Sequence, residues 1–137
     1  MAYFSAGMWY NFRVALTGFD SSFDALTGLY NRAAFDKATK QLAEAKAYSI
    51  IVLDINDFKD INDTFGHDYG DTVIKAVAEA IQKSFTNSYT CYRLGGDEFS
   101  VLGSETNKEI IEARLRNPTK CISIKKFTRP NLLKTTM

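Results

Sequence analysis

The sequence predicts an α/β sandwich, helices packed on a sheet with a central hairpin. Three features carry that prediction: a short β-branched run at 48–53, amphipathic stretches at helical spacing on either side of it, and a Gly-Gly pair at 95–96 inside a β-prone segment. From Asn31 onward, Phe35, Ala38, Leu42 and Ala45 recur at helical spacing with Asp36, Lys37, Lys40, Gln41 and Glu44 between them, the pattern of an amphipathic helix. Tyr48-Ser-Ile-Ile-Val-Leu53 has apolar residues on both faces, as in a central strand covered on each side, and it stops at Asp54. A helical turn over Phe58–Phe65 ends at Gly66, and Ile74, Val77, Ala78, Ile81 and Phe85 then mark a second long amphipathic helix. Between Tyr89 and Leu102 the pattern is a hairpin turning at Gly95-Gly96, where glycine permits positive φ. Thr106 and Glu109 form a capping box for a last helix carrying Ile110, Ile111 and Leu115, which Asn117-Pro118 would end. Cys121 to Phe127 reads as one more strand, and the polar end beyond it as a tail.

With 137 residues, 45% of them apolar, the chain suits one domain. Its boundaries are expected at 1–22 for an N-terminal linker or helix, 23–127 for the domain and 128–137 for the tail. Seventeen basic residues stand against 16 acidic ones, and a formal charge of +1 lacks the one-sided excess of a protein that grips a nucleic-acid backbone or an anionic membrane. Cys91 and Cys121 are far apart and belong to no CxxC spacing, so neither a disulfide framework nor a zinc site is expected, and the cytoplasm is the expected compartment. The first residues are rich in aromatics, but Asn11 and Arg13 interrupt them well short of the ~20 apolar residues of a membrane span.

Chemistry enters where the strands end. The run at 48–53 delivers Asp54, and the glycine turn delivers Asp97 and Glu98, so acids from separate strands are expected at one rim of the sheet. Clustered carboxylates repel one another unless a cation neutralises them. Hard oxygen donors without nearby His or Cys favour Mg²⁺ or Mn²⁺, and Mg²⁺ takes one or two carboxylates plus substrate phosphates. Gly95 and Gly96 would let a phosphate chain approach the backbone. A Gly-Gly-Asp-Glu turn also makes a good solvent-exposed hairpin with no ligand at all. The neighbouring polar segment, DINDFKDINDTFGHDYGD at 54–71, tips the balance toward a nucleotide: Lys59 is a movable phosphate partner, Asn62 both donor and acceptor, and Asp71 a double acceptor that suits the N1–H and 2-amino group of guanine. Plainer roles are open to each, helix N-cap for Asp71, turn stabiliser for Asn62, solvated charge for Lys59, and His67 reads as a structural hydrogen-bonder.

Taken together, DALTGLYNR at 24–32, DINDFKDINDTFGHDYGD at 54–71 and RLGGDEF at 93–99 resemble the GGDEF domain of bacterial diguanylate cyclases. The resemblance implies an α+β sandwich with a central, mainly antiparallel sheet flanked by helices, related to the palm of nucleotide polymerases and class III nucleotidyl cyclases. It implies condensation of two GTP molecules to cyclic di-GMP with release of two pyrophosphates, by a homodimer in which each subunit holds one GTP. It allows an upstream sensor or membrane domain, and the charge balance points to no nucleic-acid partner.

Carried over by position, Asp54 and the Ile55 carbonyl would bind the metal with Asp97 and Glu98, and Asp97 would accept the proton. Catalytic candidates are thus Asp97, Glu98 and Lys59; Asn62 and Asp71 would read guanine, Lys59 and the Phe58 backbone would contact phosphate, and Leu26 with Ile74 would line the base pocket. Asn56 stands where the family often has Asp. The family's product-inhibition signature, Arg-x-x-Asp, falls on Thr86-Asn87-Ser88-Tyr89, so feedback through it is expected to be absent. After the hairpin the family continues with a strand ending in a Ser-Ile-Gly-type sequence and a final helix carrying a phosphate-contacting Lys and Arg. Here Cys121-Ile-Ser-Ile124 is followed by Lys125-Lys126, and the C-terminal end reads as shortened; neither these lysines nor Arg129 is assigned to phosphate. The alternative is a catalytically impaired module of the same fold that binds GTP and regulates a partner.

Overall fold

Ser49–Ile55 form β1, the strand around which the chain is organised. In the computed structural model, which describes residues 22–42, 47–116 and 122–128, β1 lies between β3 (Glu98–Gly103) and β4 (Ile122–Thr128). With β2 (Tyr89–Gly95) they make a four-stranded sheet in the order β2-β3-β1-β4, every neighbouring pair antiparallel. Four helices accompany it among the described residues: α1 (Arg32–Gln41), α2 (Phe58–Phe65), α3 (His67–Ser84) and α4 (Lys108–Leu115). This is the mixed helix and antiparallel-sheet architecture that the sequence predicts. None of the described helices is long and apolar enough to cross a membrane.

Side chains alternate along β1 with the period of two that a strand imposes. Ile51, Leu53 and Ile55 are buried on one face, while Ile50, Val52 and Asp54 are half-buried on the other. The expectation of full cover on both faces is therefore corrected: the two faces differ. The buried face packs against Phe99 and Val101 of β3 and Ile74, Val77, Ala78, Ile81 and Phe85 from α3 and its end, with Ile111 of α4 closing the cluster. Each of these side chains apart from the small Ala78 contributes about 1.5–3 kcal/mol on leaving water. The opposite face is approached by α1, whose Phe35 meets Tyr92 edge-on at 5.3 Å and which has no fully buried residue.

Helix starts follow local chemistry. Asn31 caps α1, its Oδ1 accepting from Ala34 N at 3.0 Å. At α4 the expected Thr106/Glu109 capping box is replaced by Asn107, whose Oδ1 accepts from Glu109 N (2.9 Å) and Ile110 N (3.4 Å). The cause is Glu105, whose carboxylate takes the Thr106 and Asn107 amides and leaves a short carboxamide to cap the first turn. β1 continues one residue past the predicted stop at Asp54, to Ile55. Of the last predicted strand, Ile122–Thr128 is observed as β4. Ala45, the Asn117-Pro118 stop, Cys121, residues 1–21 of the expected N-terminal linker and residues 129–137 of the expected tail lie outside the described residues.

Candidate functional site at the strand rim and the α2–α3 corner

The hairpin brings the acids to the sheet edge, in an arrangement slightly different from the predicted one. Gly95 ends β2 and pairs with Glu98, so the two-residue turn is Gly96-Asp97 rather than Gly95-Gly96. Gly95 (φ 142°) and Gly96 (φ 52°) both hold positive φ, and a Cβ on either would meet nothing within 4 Å. Conformation, not space, is what demands glycine there. Directly across β1, Asp54 stands opposite Glu98, and the Ile55 amide donates to the Asp97 carbonyl at 3.3 Å. Opposed residues of an antiparallel pair share a face, and like charges so placed destabilise the pair. The register thus sets Asp54 and Glu98 on one face of the rim, where a cation would offset their charge.

Asp54, Asp97, Glu98 and the Ile55 carbonyl are hard oxygen donors of the kind Mg²⁺ accepts, and a site that leaves coordination positions to phosphate needs only one or two carboxylates. Among the described residues no three His, Cys, Asp or Glu side chains cluster as a self-sufficient metal site. The donor chemistry fits Mg²⁺ or Mn²⁺ held jointly with a ligand's oxygens.

Past β1 the chain reverses at Asp57, which is left-handed (φ 56°, ψ 32°) and precedes α2. Phe58 turns inward against the core, Lys59 is exposed, and Gly66 (φ 91°) ends α2 with its N–H donating to the Asn62 carbonyl at 2.8 Å. The start of α3 follows at once, so the two helices meet at a tight corner. Asn62 lies at that meeting, its Oδ1 buried without a hydrogen-bond partner among the described residues. Asp71 is exposed inside α3, past its first turn, which removes the N-cap explanation, since Gly66 occupies the N-cap position. Ile74 is 2% exposed and belongs to the core, with Leu26 half-buried against the same cluster. His67 is exposed at the first position of α3.

Three features of the site lie within the motifs but receive no role from the sequence. The first is a clamp on the turn. Arg93 donates from Nε (3.2 Å) and Nη2 (2.9 Å) to the Gly96 carbonyl, and from Nη1 to both carboxylate oxygens of Asp24 (3.1 and 3.2 Å). Its side chain is only 14% exposed. The second is the receiving loop: Asp24 Oδ2 also accepts from Thr27 N (2.9 Å) and Thr27 Oγ1 (2.7 Å), and the Tyr30 carbonyl accepts from Arg93 N at 2.8 Å. The third is Gly70, buried on the inward face of α3 beside Asn62. A charge set within a β-prone run needs a buried partner, and Asp-x-x-Thr before a helix is a polar turn; those were the available signals for the first two.

Away from this rim, a groove of about 440 Å³ lies at the other end of β2, lined among others by Phe23, Tyr30, Phe85, Tyr89 and Cys91. It includes none of the predicted site residues. Burial pushes the Cys91 thiol up to about 12, so it is a protonated, unreactive core group near neutral pH.

Comparison with known proteins supplies the frame for this geometry. The family described as "Diguanylate cyclase, GGDEF domain" matches residues 21–136. Diguanylate cyclase VdcA of Vibrio cholerae is 42% identical over 92 residues, covering 66% of this chain and 27% of the relative. Cyclic di-GMP phosphodiesterase NbdA of Pseudomonas aeruginosa is 42% identical over 89 residues, covering 61% of this chain and 11% of the relative. The chain therefore spans about a quarter or less of the length of these relatives. Among solved structures, the GGDEF domain of DgcB from Caulobacter crescentus, in complex with c-di-GMP, superposes with a TM-score of 0.67 at 30% identity, covering 81% of this chain and 78% of that one.

Proposed function

Because the chain belongs to the GGDEF domain family of diguanylate cyclases, which acts in cyclic di-GMP metabolism, we propose that it binds GTP across the rim and the α2–α3 corner and joins two such nucleotides into cyclic di-GMP. Asn62 and Asp71 read the guanine, with Asp71 accepting from N1–H and the 2-amino group, a donor pair that adenine lacks. Leu26 and Ile74 back the base, while Lys59 and the Phe58 backbone meet the phosphates, which lie close to the open Gly95-Gly96 backbone. Asp54, the Ile55 carbonyl, Asp97 and Glu98 would hold Mg²⁺ or Mn²⁺, which when bound offsets phosphate charge and favours ionisation of the attacking hydroxyl.

In the reaction the 3′-oxygen of one nucleotide attacks the α-phosphorus of the other; a new P–O bond forms as the bond to the β-phosphate oxygen breaks and pyrophosphate leaves. The Asp97 carboxylate takes the hydroxyl proton. The reciprocal step on the second nucleotide closes the ring, so two copies of the chain meet face to face with one GTP each. The cytoplasm is where such a domain meets GTP, and a sensor or membrane domain upstream would bring the copies together.

One observation carries this reading: Asp54 opposite Glu98 at the rim, with the Ile55–Asp97 backbone bond holding the turn against β1. Incubation of the purified chain with GTP and Mg²⁺, followed by chromatography and mass analysis, should yield cyclic di-GMP and pyrophosphate. A second reading, a module that binds GTP without turnover and regulates a partner, is favoured by the departure from the family pattern after Cys121-Ile-Ser-Ile124, where Lys125-Lys126 follow. GTP binding without product would select it, and no GTP binding would reject both.

A further inference from the structure

We infer that Gly70 is a positioning residue for guanine recognition: by carrying no side chain it leaves the hollow on α3 in which the Asn62 carboxamide is seated. This rests on the reading of Asn62 and Asp71 as the guanine-binding pair.

Glycine inside a helix weakens it relative to alanine, so a buried one there calls for a reason. Gly70 does not hold the positive φ found at Gly66, Gly95 and Gly96, so backbone conformation is not that reason. Space is. A Cβ at position 70 would overlap Asn62 Oδ1 and lie 3.0 Å from Asn62 Cγ and 3.3 Å from Phe58 Cζ. The Gly70 N–H is already donated to the Gly66 carbonyl at 3.1 Å, so Gly70 offers Asn62 no hydrogen bond. Asn62 Oδ1 has none from any other described group either. The enclosed oxygen is therefore held by shape: the bare backbone of α3 at Gly70 on one side and the Phe58 ring beside it.

Gly70 also sits immediately before Asp71 in the same helical turn. The contact that seats Asn62 thus sets the spacing between the two residues assigned to the base. A methyl group at position 70 would rotate the carboxamide or push α2 away from α3, and either change separates Asn62 from Asp71.

Four proteins test this: wild type, Gly70→Ala, Asn62→Ala and the double variant, with GTP and ATP dissociation constants measured in Mg²⁺ and melting temperatures measured without nucleotide. Gly70→Ala should weaken GTP about tenfold, the worth of roughly one lost hydrogen bond, and lower the GTP-over-ATP preference. On the Asn62→Ala background the same change should do nothing further to GTP affinity, because the group it displaces is gone. Melting should follow the same logic: Gly70→Ala lowers the transition in wild type, even to the point of preventing folding, and leaves it equal or higher once Asn62 is alanine. Unchanged GTP affinity in a folded Gly70→Ala protein, or an undiminished effect in the double variant, overturns the inference while leaving the guanine site intact. A wild-type chain that binds no GTP removes the guanine site and this role with it, even if the melting temperatures still show Gly70 and Asn62 in contact.

Discussion

The two halves of the site are built in opposite ways. At the strand rim, polar groups are over-determined: the turn carbonyl of Gly96 takes two hydrogen bonds from Arg93, Arg93 is pinned by both oxygens of Asp24, and Asp24 is pinned again by Thr27. At the α2–α3 corner, the oxygen of Asn62 has no hydrogen-bond partner among the described residues and sits where a side chain at position 70 would fall. In the proposed reaction the rim would hold groups that keep their position while charge moves past them, whereas the corner would release and recapture a base. The lesson is that rigidity lies with the proposed chemistry and shape fit with the proposed recognition.

The largest expected effect separates those roles directly. Asp97→Ala should lower formation of cyclic di-GMP by about a thousandfold, the typical worth of a positioned proton acceptor, while GTP still binds. Asp71→Ala should do the converse, weakening GTP and the preference for it over ATP more than it slows the bound nucleotide. Steady-state rates together with direct nucleotide binding decide the matter. Equal losses of rate and affinity in both variants would erase the division between rim and corner.

Much of this division could be read from residue order, and some could not. Helical recurrence at 74, 77, 78 and 81 is a local pattern that folding preserves, whereas the apolar run at 50–53 hides the period-two burial of 51, 53 and 55, and the paired glycines place the hairpin without fixing its turn residues. Register does not reduce to local pattern: the acid opposite Asp54 is Glu98, and Asp97 sits in the turn, because Gly95 pairs with Glu98 and moves the turn one residue onward. The Arg93–Asp24 pair joins positions 69 residues apart, and the Gly70–Asn62 contact joins two helices across a corner. At α4, Thr106 and Asn107 are both good caps, and Glu105 decides between them by capturing the Thr106 amide. In each case the outcome depends on pairing in space, which the residue types of a motif do not encode.

Next in size is the clamp. Arg93→Ala leaves Asp24 partly buried without its cation and frees the Gly96 carbonyl, and removal of one partner from such a pair costs on the order of 3 kcal/mol. Denaturant unfolding should show that loss as a lower midpoint. Arg93→Lys should recover only part of it, since an ammonium cannot fork to Asp24 and Gly96 as a guanidinium does. If the rim is the rigid half, turnover measured well below the transition should fall with the clamp while GTP affinity, set at the corner, changes less. A variant whose stability is untouched would mean the clamp is ornamental to the fold.

The smallest effect distinguishes two glycines that the sequence presents as equals. Gly96 is open on all sides but left-handed, and Gly70 is crowded without positive φ. Gly96→Ala should therefore cost about 1–2 kcal/mol from backbone strain alone, and Gly96→Asn less, because Asn visits that region more readily. At Gly70 the order should invert: the larger Asn side chain meets Asn62 and Phe58 harder than alanine does, so Gly70→Asn should melt below Gly70→Ala. Melting temperatures of the four variants test both orders at once. If Asn is the milder replacement at both positions, conformation governs Gly70 too, and the corner would be held by its backbone in the same manner as the rim.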